Sequence, residues 1–286
     1  MIPRKVLHQF SREGTNPGGE KYSYITVDDV GKLSSDTGAG SRAVELAALK
    51  AGIIPERYQR SIGTVGIEGQ IKLLEARVGV AGSGGLGGIA LEMLARMGVG
   101  TLVAIDDDTF DDSNLNRQLL SLEENLGRSK VEIAAARLKM VNSAVDLIAN
   151  YCRGDLTNLP EIFAGCDLVI DCLDNLRSRF DLEKSCVKLN VPLIHGAIAG
   201  FLGQIAVIRP DKPLLASIYG SESDRSSDKG VERELGNPAT TPTMIASWQV
   251  SEAVKYLAGL DGVLPSGKML IIDMYSGESY QLELTA

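Results

Sequence analysis

Residues 78–118 read VGVAGSGGLGGIALEMLARMGVGTLVAIDDDTFDDSNLNRQ. A short apolar run, 77–81, leads into Gly82, Gly84 and Gly87, which satisfy G-x-G-x-x-G, and an amphipathic stretch, 89–97, follows. A second apolar run, 101–105, ends in Asp106, which stands 24 residues beyond Gly82. The order strand, glycine turn, helix, strand, acid is that of the mononucleotide-binding half of a doubly wound fold. Glycines there let backbone N–H groups close on a phosphate at the positive end of a helix, where the dipole favours an anion. The carboxylate at the second strand's tip accepts hydrogen bonds from ribose hydroxyls. Glycines alone would signify only a tight turn. Their place between strand and helix, with the acid at this offset, predicts a nucleotide site.

Composition narrows the classes. A chain of 286 residues with 44% apolar content suits an α/β protein of one large or two fused domains. Its net charge of −8 provides no global basic field for nucleic acid, although a local cluster of cations is expected at a nucleotide site. No basic segment followed by an apolar one opens the sequence, and the least polar stretch, 193–208, is too short and interrupted to span a membrane. Cys152, Cys166, Cys172 and Cys186 include no C-x-x-C pair, which gives neither a zinc ribbon nor a disulfide framework. The cytoplasm is the expected compartment.

Residues 1–55 are expected to be an N-terminal extension, partly irregular, with one helix over 42–51 that Ser41 caps. Residues 56–286 then form the nucleotide domain. Helical spacing covers 67–75, 130–141, 159–163, 178–189 and 242–257, and strands are expected at 146–151, 168–172, 192–194 and 204–208. Runs 269–273 and 279–284 around a Ser-Gly-Glu turn predict a closing hairpin. The fold class is therefore α/β, Rossmann-like and doubly wound, with a mainly parallel sheet and antiparallel C-terminal strands. The long polar stretch 211–239 reads as a crossover that guides a substrate's tail, with an idle linker as the plain alternative.

Three more clusters fall at strand ends or helix starts, the edge where open α/β sheets bind ligands. They are SNLNRQ at 113–118, Lys130 behind Gly127, and DCLDN at 171–175 with Arg179 beyond it. An amide, two cations and a carboxylate converging there suit a triphosphate with Mg²⁺ better than a dinucleotide.

Together, GSGGLG (82–87), DDDTFDDSNLNRQ (106–118), GRSK (127–130), DCLDN (171–175) and RYQRSIG (57–63) resemble the ThiF/MoeB/HesA family of ubiquitin-activating-enzyme-like adenylyltransferases. The likeness runs from about Glu56 to the C-terminus and keeps motif order. It implies that the C-terminal carboxylate of a small ubiquitin-like carrier ending in Gly-Gly attacks ATP at its α-phosphate, giving an acyl-adenylate and pyrophosphate. By position, Gly82, Gly84, Gly85 and Gly87 form the phosphate turn, and Asp106 holds the ribose, with Asp108 and Asn175 nearby in the nucleotide site. Asn114, Arg117, Gln118 and Lys130 contact phosphates, and Asp174 holds Mg²⁺. Arg60 matches an arginine that reaches into the neighbouring subunit's site, so the resemblance implies a homodimer; Arg60, Arg117, Lys130 and Asp174 make the catalytic set.

The sequence also departs from the family pattern. Ser61 stands where the family has Gln, and no cysteine occurs after Cys186. Zinc and a covalent cysteine step on the crossover are therefore not expected, and sulfur would come from a separate donor protein. Adenylation of a tRNA-base or peptide carboxylate is the alternative within the class. A nicotinamide-linked oxidoreductase shares the glycine turn but leaves Arg117, Lys130 and Asp174 unexplained together. Each singled-out residue has a plainer role: a solvated strand-end acid for Asp106, a helix cap for Asp174, surface charges for Arg117 and Lys130. Arg179 is read either as a phosphate or tail contact or as a helix-surface charge. His195 is read as structural, Cys172 and Cys186 as packing residues, and Trp248 as core.

Overall fold

The computed structural model describes residues 2–16, 18–220 and 235–284. Its N-terminal region corrects the expectation of a partly irregular segment with one helix. Three helices, α1 (Arg4–Phe10), α2 (Val27–Thr37) and α3 (Ser41–Lys50), combine with three strands, β1 (Arg12–Thr15), β2 (Lys21–Ile25) and β3 (Ile53–Pro55), in the order α1-β1-β2-α2-α3-β3. β2 pairs antiparallel with β1 and parallel with β3. Leu7, Ile25, Val30, Leu33, Val44, Ala48 and Ile53 close a core of their own. Helix α2 begins in a capping box of Thr26 and Asp29 and ends at Gly38, whose φ of 68° suits a residue without Cβ. The cap of α3 is Gly40, and Ser41 is simply its first residue.

Charged groups weld this unit to the rest. The Arg42 guanidinium donates to the Gly100 carbonyl (2.5 Å) and Thr101 Oγ1 (2.7 Å), and pairs with Asp146 (2.8 Å). Glu45, fully buried, accepts from the Tyr58 hydroxyl (2.9 Å) and pairs with Arg57 (3.2 Å), while Asn142 donates to the same hydroxyl (2.9 Å). Burial pushes the Glu45 carboxyl up, against the pull of Arg57. Arg57 and Tyr58 of RYQRSIG thus do structural work, three and two residues before Arg60.

The remaining chain builds one sheet. Its strands are β4 (Arg77–Ala81), β5 (Thr101–Ile105), β6 (Asp146–Asn150), β7 (Leu168–Asp171), β8 (Leu193–Ala199), β9 (Leu202–Ile208), β10 (Lys268–Asp273) and β11 (Glu278–Glu283). Their order is β6-β5-β4-β7-β8-β9-β10-β11. Pairing is parallel from β6 to β8 and antiparallel from β8 to β11, as expected. The chain moves outward from β4 through β5 to β6, then returns to the other side of β4 with β7. That reversal opens a crevice between β4 and β7 at their carboxyl ends.

Alternating side chains serve two cores. Val78, Val80, Leu102, Ala104, Leu168 and Ile170 face α4 (Gln59–Glu75), α5 (Gly85–Arg96), α6 (Lys130–Val141) and α10 (Thr240–Ala258). Ala81, Val103, Ile105 and Val169 face α7 (Leu159–Ile162), α8 (Leu176–Leu189) and α9 (Leu215–Tyr219). Trp248, expected in the core, lies 37% exposed on α10. Of the expected crossover 211–239, residues 221–234 lie outside the described residues. Among the described residues, no helix is long and apolar enough to cross a membrane.

Candidate active site

The glycine turn stands at the mouth of the crevice. Gly82, at φ 90°, donates its N–H to the Ile105 carbonyl (2.9 Å), and a Cβ there would meet the Cys172 carbonyl oxygen at 2.7 Å. Gly84 caps α5 with no side chain, so the first-turn N–H groups are left for another acceptor. At Gly87 a Cβ would lie 1.8 Å from the Gly82 carbonyl oxygen, so only glycine lets the helix press against the strand end.

Asp106 is held to this turn. Its Oδ2 accepts from the Ser83 N–H (2.6 Å) and its Oδ1 from the Asp108 N–H (2.9 Å). Burial pushes the carboxyl up, while the Ser83 bond and the Lys130 cation pull it down. Lys130, 5% exposed at the start of α6, sends Nζ to Asp108 Oδ2 (2.9 Å), and its N–H bonds the Asp108 carbonyl (3.1 Å). Asp108 itself is exposed.

The 113–118 segment closes over the same turn. Gln118 is buried, with its amide 3.5 Å from where a Gly84 Cβ would be. Arg117 Cγ lies 3.8 Å from the corresponding position on Gly85. The Arg117 guanidinium donates to the Ser113 carbonyl (2.8 Å) and Asn116 Oδ1 (2.9 Å). Asn114 is engaged within the loop. Buried, its amide donates to Asp111 Oδ1 (2.9 Å) and Ser113 Oγ (3.3 Å) and accepts from the Asp111 N–H (3.4 Å), which shapes the loop.

Two buried polar atoms at the turn, Ser83 Oγ and Gln118 Oε1, have no hydrogen-bond partner among the described residues. Orphans of this kind cost about 1–3 kcal/mol each unless a ligand meets them. With the uncapped helix start and two cations, they fit a nucleotide triphosphate. An exposed carboxylate, Asp174, supplies the hard oxygen that Mg²⁺ prefers.

Asp174 sits in the loop after β7, two residues past the Cys172 carbonyl that touches Gly82. The cap of α8 is Asn175, whose Oδ1 accepts from the Ser178 N–H (2.9 Å); the plain role considered for Asp174 therefore belongs to its neighbour. Arg179, read as a phosphate contact or a surface charge, is instead 8% exposed, and its Nε and Nη2 donate to the Leu173 carbonyl (3.1 and 2.6 Å). His195 is fully buried and hydrogen-bonded to Asp171 (2.7 Å), and burial pushes its pKa down. Tyr219 and Gln204, which join His195, escaped the sequence reading: they lie on separate elements, and the β8–β9 pairing together with the packing of α9 brings them together.

Arg60 lies exposed at the start of α4 and makes no hydrogen bond or ion pair among the described residues. The structure does not bring it to the turn of its own chain. The cysteines pack as expected: burial pushes Cys166 up to about 11 and moves Cys172 and Cys186 upward as well. Thiolates are the reactive form, so Cys172, partly exposed like Cys152 but with its thiol pushed upward by burial, should join the buried Cys166 and Cys186 in reacting slowly with Ellman's reagent at about pH 8, leaving at most Cys152 to react fast. Fast release from a second thiol in the native protein would contradict this packing.

Known proteins place this geometry. The model of the ThiF family matches residues 58–286. Over 222 residues the chain is 37% identical to the SAMP-activating enzyme E1 of Haloferax volcanii, spanning 76% of this chain and 81% of that protein. It is 35% identical over 236 residues to the sulfur carrier protein ThiS adenylyltransferase of Escherichia coli, spanning 80% and 90%. The crystal structure of E. coli MccB with ATP resembles it in fold, with a TM-score of 0.67 at 22% identity over 80% of this chain and 70% of that one. The family match takes in the glycine turn, the 106–118 loop, Lys130 and every strand of the large sheet; the chain belongs to the ThiF family.

Proposed function

We propose that this protein activates the C-terminal glycine carboxylate of a small ubiquitin-like sulfur-carrier protein as its acyl-adenylate. A carboxylate oxygen attacks the α-phosphorus of ATP, the bond from that phosphorus to the bridging oxygen breaks, and pyrophosphate leaves with the electron pair. An anion attacking a tetra-anionic nucleotide is slowed by charge and by orientation, and positioned cations address both. What supports this reading most is the buried Lys130 ammonium, close enough to Asp106 to pull its carboxyl down, with Arg117 packed against Gly85 of the turn. Asp106 takes the ribose, while Gln118 and the first-turn N–H groups of α5 take phosphate oxygens. Asp174 would hold Mg²⁺, whose charge would neutralise the departing pyrophosphate. The chain's relatives include a protein named for adenylating the carrier ThiS.

A homodimer belongs to the same reading. Arg60 is exposed and unpaired among the described residues, and Leu115, Leu119 and Leu122 are 38%, 52% and 50% exposed beside Arg117. An equal mixture of Arg60→Ala and Asp174→Ala proteins should recover part of the activity that each lacks, since one of the two sites in a mixed dimer is intact. The chemistry is tested by mass spectrometry of a Gly-Gly carrier after incubation with Mg·ATP. The reading expects a carrier–AMP adduct that disappears when the terminal glycine is removed; a carrier that gains no AMP under any Gly-Gly candidate would sink it.

A further inference from the structure

Tyr219, at the end of α9, places its hydroxyl where three elements meet. It accepts from Arg179 Nη1 on α8 (2.7 Å) and from Gln204 Nε2 on β9 (2.7 Å), and it faces His195 Nε2 on β8 (3.0 Å). The donor count sets the direction of that last bond. His195 Nδ1 lies 2.7 Å from Asp171 Oδ2, a carboxylate that only accepts, so Nδ1 carries the proton and Nε2 receives the Tyr219 hydroxyl. The rings of His195 and Tyr219 meet edge to face at 5.6 Å and 89°, which locks the hydroxyl's approach.

This network ends on the backbone of a single residue, Leu173. Asp171 Oδ1 accepts the Leu173 N–H (3.0 Å), while Arg179 grips the Leu173 carbonyl with two donors. Both backbone groups of the residue before Asp174 are therefore fixed by side chains that converge on Tyr219. The far end of α9 is tied to the same helix: Glu183, one turn beyond Arg179 on α8, accepts the Leu214 and Leu215 N–H groups (2.8 and 2.9 Å). Helix α9 is thus a strut between the antiparallel half of the sheet and the Asp174 loop.

We infer that Tyr219 is a positioning residue that sets the Asp174 carboxylate for Mg·ATP through Arg179 and the Leu173 peptide. The inference rests on the adenylation reading and names a residue outside the phosphate site. Tyr219→Phe keeps the ring and removes only the hydroxyl. Equilibrium binding of ATP, followed by calorimetry with Mg²⁺ and then with EDTA, separates a positioning effect from general damage. Loss of the hydroxyl's hold on Arg179 loosens the grip on the Leu173 carbonyl and should weaken Mg·ATP binding about 3- to 10-fold. Metal-free ATP binding, which does not use Asp174, should stay within about 2-fold, since its contacts to the glycine turn remain.

Added to Asp174→Ala, Tyr219→Phe should make no further difference, because residues acting through one group do not add. Arg179→Lys, which keeps the charge but cannot hold the Leu173 carbonyl and Tyr219 together, should show the same metal-selective loss. Equal weakening with and without Mg²⁺, or full additivity with Asp174→Ala, overturns the inference and leaves adenylation standing. A Tyr219→Phe protein that binds Mg·ATP like wild type overturns it too. Wild-type protein that binds no Mg·ATP would instead remove the adenylation reading, and the inference with it.

Discussion

Lys130→Ala should slow carrier-dependent pyrophosphate–ATP exchange by about 100- to 1000-fold, or ~3–4 kcal/mol of transition-state stabilisation. The magnitude follows from where the ammonium sits. Lys130 is 5% exposed, so its charge acts on a bound phosphate with little screening by water. The fold should survive the change. Asp108, the partner left behind, has a side chain 66% exposed, and water replaces the ammonium there at small cost. Exchange kinetics read against thermal unfolding separate the two effects. A loss below about 3-fold, or a large fall in melting temperature, would remove Lys130 from its proposed role.

Gly87→Ala should damage both the fold and the site, because the obstacle is backbone. The new methyl would lie 1.8 Å from the Gly82 carbonyl oxygen and 2.7 Å from its carbon, and no side-chain rotation relieves that contact. Either α5 lifts off β4 or the turn changes course, at a cost of about 1–3 kcal/mol or more in stability. Both distort the N–H groups that face the phosphates, so ATP binding should fall by well over tenfold. Gly31→Ala on α2 is the control: nothing lies within 4 Å of the added carbon, and the protein should hold or gain up to about 1 kcal/mol. Normal ATP binding by Gly87→Ala would contradict the account of the turn.

Much of this was legible from local pattern. The strand-turn-helix-strand unit with Asp106 is contiguous in sequence, and its glycines are demanded by contacts a few residues apart, such as Gly82 with Gly87. The closing hairpin announced itself by alternation around a turn, as β10 and β11 confirm. The N-terminal unit stayed hidden because its strands have three to five residues each and its core joins Leu7 to Ile53 across the whole segment. Arg179 was misread for a related reason. Helical position alone does not say that a guanidinium will turn inward to a carbonyl six residues back and a tyrosine hydroxyl forty residues on. Capping is the plain reading of Asp174 alone, yet Asn175 takes the cap, because which of the two does so depends on the loop's path. The proposed roles of Arg117 and Gln118 toward nucleotide rest on their nearness to the turn and on the family resemblance together, and that of Asn175 on the resemblance alone.

Pyrophosphate–ATP exchange, measured with a Gly-Gly carrier present and absent and repeated with Asp174→Ala, tests the central claim most directly. If cations and a magnesium-holding acid surround the α-phosphate, exchange requires the carrier and falls at least about 100-fold in the variant. Exchange at the wild-type rate in Asp174→Ala protein would show that this carboxylate does not serve the phosphate site.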